Sequence, residues 1–449
     1  MTESQIIFFL EGAGIYFFTI NILYGILLIL SWTKIRQYVR MSKKEKILPA
    51  LPGVSFIVPA FNEESLIVET IQTYVSLTIE KEIIIVNDGS MDATFVLLQN
   101  MYQLMRDQNS QGVVYNSITH PEIKVVQGMH KGKAEALNLG IQFAKFGIVC
   151  TMDADTIPQA QGVRACLDAF ARDTNLIAAG GVIQVLGSDY LYQNAPTKKL
   201  TFTWLSGFQR IEYLRTFVCE RLGWSFLDST LLISGAFCML KREALIEVGG
   251  YNPASITEDL DIIVRLRRKF AAAKYKFVTL PVTVCYTQVP SSLSHLRSQR
   301  IRWQLGLIQT LAQHLSLIFN PLHGLLGLFA VPYFWIVEAL SPLIEAMTFF
   351  LVPYALYHNM IDWHPVLFYL TAGLLFNLLI TAASIHLDNK YVTRSDSWSV
   401  SQGLFHTICL YVGFKQLNSG WRFIALGKSL VTKGAWGIKN RGEITHHHS

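Results

Sequence analysis

The apolar residues of this chain follow two rhythms. Toward both ends they form long runs, whereas from Val54 to about Phe277 they form short blocks separated by stretches of helical period. Ile6 to Trp32 is apolar apart from Glu11 and a few small polar residues. As a helix it is long enough to cross ~30 Å of hydrocarbon. It lacks the basic start and small-residue cleavage site of a signal peptide. Leu325 to Tyr357 is apolar but holds Pro332, Pro342 and Pro353 with Glu338 and Glu345, so it predicts either one kinked span or a broken hairpin. A carboxylate in a span is costly and faces a bundle interior or a water-filled path, so a channel-lining role is open to both. Val366 to Ile385 is an uninterrupted span.

The short blocks VSFIV (54–58), EIIIV (82–86), IKVV (123–126), GIVCTM (147–152) and LIAAGGVI (176–183) predict buried strands. Between them, Ala134, Leu137, Ile141 and Ala144 recur at helical spacing. Strand alternating with helix predicts an α/β domain with a largely parallel sheet, whose ligands bind beyond the carboxyl ends of the strands. LLISGAFCML predicts a further strand, broken at Ser234-Gly235 where a glycine lets a ligand approach the backbone. Three segments predict amphipathic helices at the membrane surface: Ser188 to Leu227, Ser291 to His314 and Leu404 to Lys428. In the first, Leu200, Phe202, Trp204, Phe208 and Ile211 interleave with Arg210, Arg215 and Arg221. A core helix with a basic face is the alternative.

The chain thus divides into an N-terminal transmembrane helix (1–33), a cytosolic α/β domain (34–290), an interfacial helix (291–321), transmembrane helices (322–390) and a C-terminal interfacial helix with a basic tail (391–449). Composition agrees, with 51% hydrophobic and only 16% charged residues. The cluster Lys34, Arg36, Arg40, Lys43, Lys44 and Lys46 follows the first span. By the positive-inside rule it is cytoplasmic, leaving the N-terminus outside. The net charge of +6 belongs largely to membrane flanks and does not imply nucleic acid. Six cysteines are scattered without a CxxC, which reads as reduced core filler. His446 to His448 is a native tail or a tag remnant and carries no inference.

Candidate chemistry falls where the strands end. Asp153 and Asp155, one residue apart after GIVCTM, offer two hard oxygen donors on one side of a strand, suited to Mg²⁺ or Mn²⁺ with a phosphate completing the shell. In isolation, a turn or helix cap is the commoner reading of such a pair, and the metal site the sharper one. Asn62 and Glu63 follow the first strand. Asp88, in VNDGS, could hold a base or ribose, or could form an Asx turn with Asp92. Lys133 opens a helix where a phosphate is favoured, although a solvated lysine is the plainer reading. Thr257 is a candidate N-cap, with Glu258 and Asp259 as first-turn charges or as a catalytic base. Gln299, Arg302 and Trp303 share one helical face that could clamp a phosphate and stack on a sugar.

Taken in order, FNEE, VNDGS, GKAEALN, DADT, SGAF, TED and QRIRW make the chain resemble a membrane-embedded, processive family 2 glycosyltransferase. That group includes bacterial poly-N-acetylglucosamine, hyaluronan, chitin and cellulose synthases. The resemblance covers roughly Val54 to Gly306, and the membrane layout beyond is similar. It implies a glycosyltransferase A-type, Rossmann-like domain. It also implies Asp88 and Glu63 at the uridine, Lys133 at the diphosphate, Asp155 with Asp153 at the metal, and Asp259 as general base beside Glu258. Ser234-Gly235 would lie near the acceptor sugar, and Gln299, Arg302 and Trp303 over the diphosphate and acceptor. The implied partners are a UDP-sugar donor, a growing polysaccharide, the bilayer, and an accessory membrane subunit or a second copy. No segment after the spans matches the cyclic-dinucleotide-binding domain of cellulose synthases. With one leading span, this places a poly-N-acetylglucosamine-type polymer of UDP-N-acetylglucosamine first. A hyaluronan-like heteropolymer synthase, a non-processive transferase to a lipid or protein, and a channel on a degenerate transferase domain are the alternatives. The intact Asp153, Asp155 and Asp259 count against the last.

Overall fold

The computed structural model describes residues 1–44, 50–110, 112–186, 203–271, 275–393 and 399–431. They form two compact units, one from Ile35–Leu186 with Leu227–Val289 and one from Met1–Lys34, Gly187–Phe226 and Pro290–Ser449.

The first unit is built on a sheet of β1 (Val54–Ala60), β2 (Lys81–Asn87), β3 (Leu104–Arg106), β4 (Val114–Ser117), β5 (Ile123–Gln127), β6 (Ile148–Thr151), β7 (Thr156–Pro158), β8 (Leu176–Val185), β9 (Cys238–Lys241) and β10 (Lys276–Thr287). Their order is β3-β4-β5-β2-β1-β6-β9-β8-β10-β7. The apolar blocks read as strands are β1, β2, β5, β6 and β8. Of these, β5, β2, β1 and β6 run parallel side by side, so their carboxyl ends share one edge. The sheet is more mixed than the alternating pattern implied. β9 runs antiparallel to both β6 and β8, and β3, β4 and β7 also join antiparallel. LLISGAFCML is not one broken strand: only Cys238–Lys241 pairs, and Leu231 to Phe237 is a loop ending in a turn. Because β9 runs against β6, that loop arrives beside the carboxyl end of β6, where Thr151 faces Cys238.

The helices Lys133–Phe143 and Glu258–Lys269 pack into the apolar layer on this sheet. Leu137, Ile141, Ile262, Ile263 and Leu266 meet Ile57, Ile84 and Val86 there. Gly140 lies where a Cβ would come 2.4 Å from the Ile57 side chain, which fixes how closely the Lys133–Phe143 helix sits on the strands. Cys150, Cys166, Cys238 and Cys285 are buried free thiols, as expected of core filler.

The other unit is helical. Among the described residues, three helical runs are long and apolar enough to cross a membrane: Glu3–Ser42, Leu326–Tyr357 and Trp363–Val392. The first continues unbroken into the basic flank as far as Lys44. Leu326–Tyr357 is one kinked run and not a hairpin. Its early part is wound as π turns at Leu326–Ala330 and Phe334–Ala339, and Pro342 then opens the α-helical part Ser341–Tyr357. π turns and a proline at a helix start absorb the missing N–H bonds without reversing the chain. Within Ser188 to Leu227, Leu200 and Phe202 lie outside the described residues. The remainder is helical from Trp204 to Phe226, with π winding at Arg215–Arg221. Arg210, expected at headgroup level, is buried. Leu404 to Lys428 is not one helix: Val412 and Gly413 are non-helical and separate Val400–Cys409 from Lys415–Val431.

Candidate active site

The shared edge of β1, β2, β5 and β6 gathers the residues that follow each strand. Asp153 and Asp155 lie in the turn from β6 to β7 and not on a strand, closed by the Thr156 N–H donating to the Asp153 carbonyl at 3.1 Å. The pair is therefore presented by a turn, which frees both carboxylates from the strand pleat.

Lys133, the first residue of its helix, places its ammonium 2.5 Å from Asp153 Oδ1 and 2.9 Å from Glu258 Oε1. One lysine thus joins the DADT turn to the start of the Glu258–Lys269 helix. Burial opposes its charge, but Asp153, Glu258 and Asp259 outweigh burial and hold the ammonium well above the usual lysine range. Asp259 accepts at both oxygens. Oδ2 takes the Gly235 N–H at 2.9 Å and Oδ1 the Leu260 N–H at 2.9 Å. Burial and then Glu258 raise its carboxyl above the ordinary aspartate value, against Lys133 and those two N–H groups. Thr257 stands at the helix start but its side chain makes no capping bond, so Glu258 and Asp259 carry that end.

Gly235 has a specific steric reason to be glycine. A Cβ there would meet Lys133 Nζ at 3.2 Å and Asp259 at 3.3 Å. Ser234 sits in the same turn, its carbonyl accepting the Phe237 N–H at 3.0 Å.

Glu63 follows β1 in a turn whose Asn62 adopts φ 57°, and its N–H donates to Thr94 Oγ1 at 2.8 Å. Its carboxyl is pushed up to about 7 by burial and then by Asp155, Asp153 and Asp92. Asp155 is pushed up to about 6 by burial and by Asp153, with Lys133 opposing. This crowding favours the protonated forms of Glu63 and Asp155. Among the described residues no three His, Cys, Asp or Glu side chains converge tightly enough to hold a metal ion alone, and Asp153 already engages Lys133. Hard oxygen donors in an incomplete set suit a divalent ion whose other ligands come from a phosphate.

Asp88 serves the loop before the Lys133–Phe143 helix. Its two oxygens accept the N–H groups of Lys131 at 3.0 Å and Gly132 at 2.7 Å. The Asx-turn role belongs to Asp92, which accepts from Thr94 and Glu64 N–H groups. His130, in the left-handed region at φ 53°, stacks on Phe61 with ring centres 4.3 Å apart.

The structure also brings in residues that motif reading passed over. Asn138, in GKAEALN, accepts the Tyr251 N–H at 2.7 Å and donates to the Tyr251 carbonyl at 2.8 Å. Tyr251 OH lies 3.1 Å from Thr151 Oγ1 at the end of β6. Arg265 binds the Val248 and Gly250 carbonyls at 2.9 and 2.5 Å and Asp261 Oδ2 at 2.7 Å. Together these pin the Gly249-Gly250 turn that leads to Glu258. An asparagine on the apolar face of a helix was the available signal for Asn138; nothing local marks Arg265.

Gln299, Arg302 and Trp303 lie on the Leu293–Gln313 helix of the other unit. They share one face, with Gln299 and Trp303 half-buried and Arg302 exposed.

Residues 55–249 match the sequence profile of glycosyl transferase family 2. A poly-beta-1,6-N-acetyl-D-glucosamine synthase of Staphylococcus aureus is 28% identical over 302 residues, covering 67% of this chain and 62% of the relative. The enzyme of the same name from Staphylococcus epidermidis is 29% identical over 256 residues, covering 57% of this chain and 54% of the relative. The chain thus matches less than two thirds of these relatives' length. Among solved structures, the mannosyltransferase PcManGT from Pyrobaculum calidifontis, in complex with GDP-Man and Mn²⁺, superposes with a TM-score of 0.51 at 20% identity. That superposition covers 94% of this chain and 99% of the mannosyltransferase, a likeness of fold. The sheet edge presents the DADT, SGAF and TED residues together, and residues 55–249, which include the first two of these motifs, are similar to glycosyl transferase family 2.

Proposed function

We propose that this protein is a membrane-embedded, inverting, processive β-glycosyltransferase. It polymerises a UDP-sugar, UDP-N-acetylglucosamine first, into an extracellular polysaccharide and passes the product across the membrane. The observation that carries this reading is the Asp259 carboxylate, raised by burial, aligned by the Gly235 N–H and set beside the Lys133–Asp153 pair. The names of the staphylococcal relatives supply the choice of sugar.

Asp155 and Asp153 would hold Mg²⁺ or Mn²⁺, as the Mn²⁺ of the mannosyltransferase complex suggests by analogy. When bound, such an ion neutralises the diphosphate leaving group. Asp259 accepts the proton of the acceptor hydroxyl as that oxygen bonds to the sugar C1. The C1–O bond to the diphosphate breaks on the opposite face, inverting the anomeric centre. Glu258 and Lys133 set the charge around the base, and Lys133 can also meet the departing diphosphate. Asp88 holds the Lys131-Gly132 backbone and, with Glu63, forms the wall where the uridine binds. Arg302, with Gln299 beside it, is the side chain proposed for the diphosphate, and Trp303 the ring proposed to stack on the acceptor sugar. The basic flank after the first span supports, by the positive-inside rule, a cytoplasmic sheet-bearing unit and an N-terminus outside.

The deciding experiment is UDP release by detergent-purified protein with Mg²⁺ or Mn²⁺, offering UDP-N-acetylglucosamine, UDP-glucuronic acid, UDP-glucose and UDP-galactose singly and in pairs. Release with UDP-N-acetylglucosamine alone, with a high-mass product, supports the proposal. A need for two donors moves it to a heteropolymer. A product of one added sugar refutes processivity.

A further inference from the structure

The Lys415–Val431 helix was read from sequence as an amphipathic surface helix, yet three of its polar side chains point into protein. Asn418 Nδ2 donates to Glu212 Oε1 at 3.4 Å. On its other oxygen, Glu212 receives Arg300 Nη2 at 2.6 Å. One turn further along, Arg422 Nε donates to Gln304 Oε1 at 2.9 Å. Arg300 and Gln304 stand four residues apart on the QRIRW helix, as do Asn418 and Arg422 on theirs. The two helices are therefore matched at two successive polar joints.

Gln304 is only 3% exposed and uses both ends of its amide. Its Nε2 donates to the Ala339 carbonyl at 2.9 Å and the Glu338 carbonyl at 3.3 Å. These acceptors belong to the π-wound stretch Phe334–Ala339, where the helix has changed its bonding register. Arg422 binds the same Glu338, at its carbonyl and, at 3.4 Å, its carboxylate. Ser419 donates to Glu345, the other carboxylate of the same span. Trp303 sits between the two joints, and the Arg300 guanidinium lies 4.8 Å from the centre of its ring.

We propose that Arg422 and Asn418 are positioning residues. Through Gln304 and through the Glu212–Arg300 pair, they fix the roll and axial position of the QRIRW helix, and with it the plane of Trp303. The role in polymerisation rests on the processive reading above; the positioning itself does not. In a processive enzyme a helix free to roll still passes donor to acceptor but loses the acceptor between additions. Product length then falls before turnover does. Lysine in place of Arg422 keeps the charge facing Glu338 but lacks the second donor needed at Gln304.

The test uses the full-length protein in detergent with UDP-N-acetylglucosamine and Mn²⁺, comparing wild type with Arg422→Gln, Arg422→Lys and Asn418→Ala. UDP release, product size on a gel and hydrogen exchange of peptides spanning residues 293–313 are read together. Arg422→Gln is expected to shorten the product about threefold or more, with UDP release held within about twofold and faster exchange in 293–313, as for loss of the charge-assisted bonds to Gln304 and Glu338. Arg422→Lys should fall between it and wild type. Glu212→Arg with Arg300→Glu should recover length lost by either alone. Unchanged product length overturns the proposal, as does a parallel fall in length and release with unaltered exchange. If wild type releases no UDP from any donor, the processive reading fails. Exchange then decides positioning by itself: faster exchange in 293–313 supports it and unaltered exchange overturns it.

Discussion

The N–H of Gly235 and the Oδ2 of Asp259 are 2.9 Å apart, joining a loop before β9 to the first turn of a helix that begins 23 residues later, at Glu258. This bond orients the carboxylate proposed as the base and leaves no room for a side chain on the loop. Gly235→Ala should therefore act on chemistry more than on folding. The new methyl group presses on Lys133 Nζ and Asp259 from 3.2 and 3.3 Å. A fall of roughly tenfold in UDP release, from a base displaced by a few tenths of an ångström, with an unchanged melting temperature, is the expected pair of results.

Asp259→Asn keeps the shape and removes the base. Transfer should fall by about a hundredfold to ten-thousandfold, since a positioned base contributes ~10²–10⁴. UDP affinity by calorimetry should stay near wild type, because Asp155 and Asp153 are intact. In the wild type, the raised Asp259 carboxyl predicts a UDP-release rate that rises with pH on the acid side of its profile. Loss of UDP affinity in the variant would contradict the assignment.

Glu63 and Asp155, pushed up to about 7 and about 6, give stability a definite pH trend without added metal. Both folded values exceed the unfolded ones, so the folded state binds more protons. Their contribution is fully present below the ordinary carboxylate range and is lost as pH rises through about 7. Melting temperature in EDTA should decline over that window, less so in Glu63→Gln. Mn²⁺ should offset the decline and bind more tightly as pH rises, because it displaces protons.

Asn138→Ala removes both bonds to the Tyr251 backbone. Two half-buried hydrogen bonds correspond to about 2 kcal/mol, to be read by denaturant or thermal unfolding. The Gly249-Gly250 turn precedes Glu258, so UDP release should fall as well. Asn138→Asp keeps the acceptor for the Tyr251 N–H but turns a carboxylate oxygen toward the Tyr251 carbonyl, and should cost at least as much as Asn138→Ala.

Trp303→Ala should spare UDP binding and shorten the product, because the ring is proposed to meet the acceptor and not the donor. Wild-type product length on a gel would remove the stacking role.

The legibility of the site varied with how local its causes are. β1, β2, β5 and β6 were readable because a parallel strand buried on both faces needs an unbroken apolar run. The carboxylates after them were readable because a charge ends such a run abruptly. Leu231 to Phe237 misled because its apolar residues are buried as a loop, and burial alone does not distinguish a loop from a strand. The short antiparallel strands β3, β4 and β7 carried too few residues for any period to emerge.

Sequence alone determined the long apolar helices, the parallel core of the sheet and which residue types stand at its edge, since each follows from composition and spacing over a few turns. Only the tertiary structure decided that Lys133 bridges Asp153 and Glu258, that Asp88 spends both oxygens on the 131–132 backbone, and that Arg422 meets the QRIRW helix at Gln304 and Asn418 reaches it through Glu212. Those pairings join residues tens to hundreds of positions apart. Their partners are set by how the helices and strands pack, which no local pattern encodes.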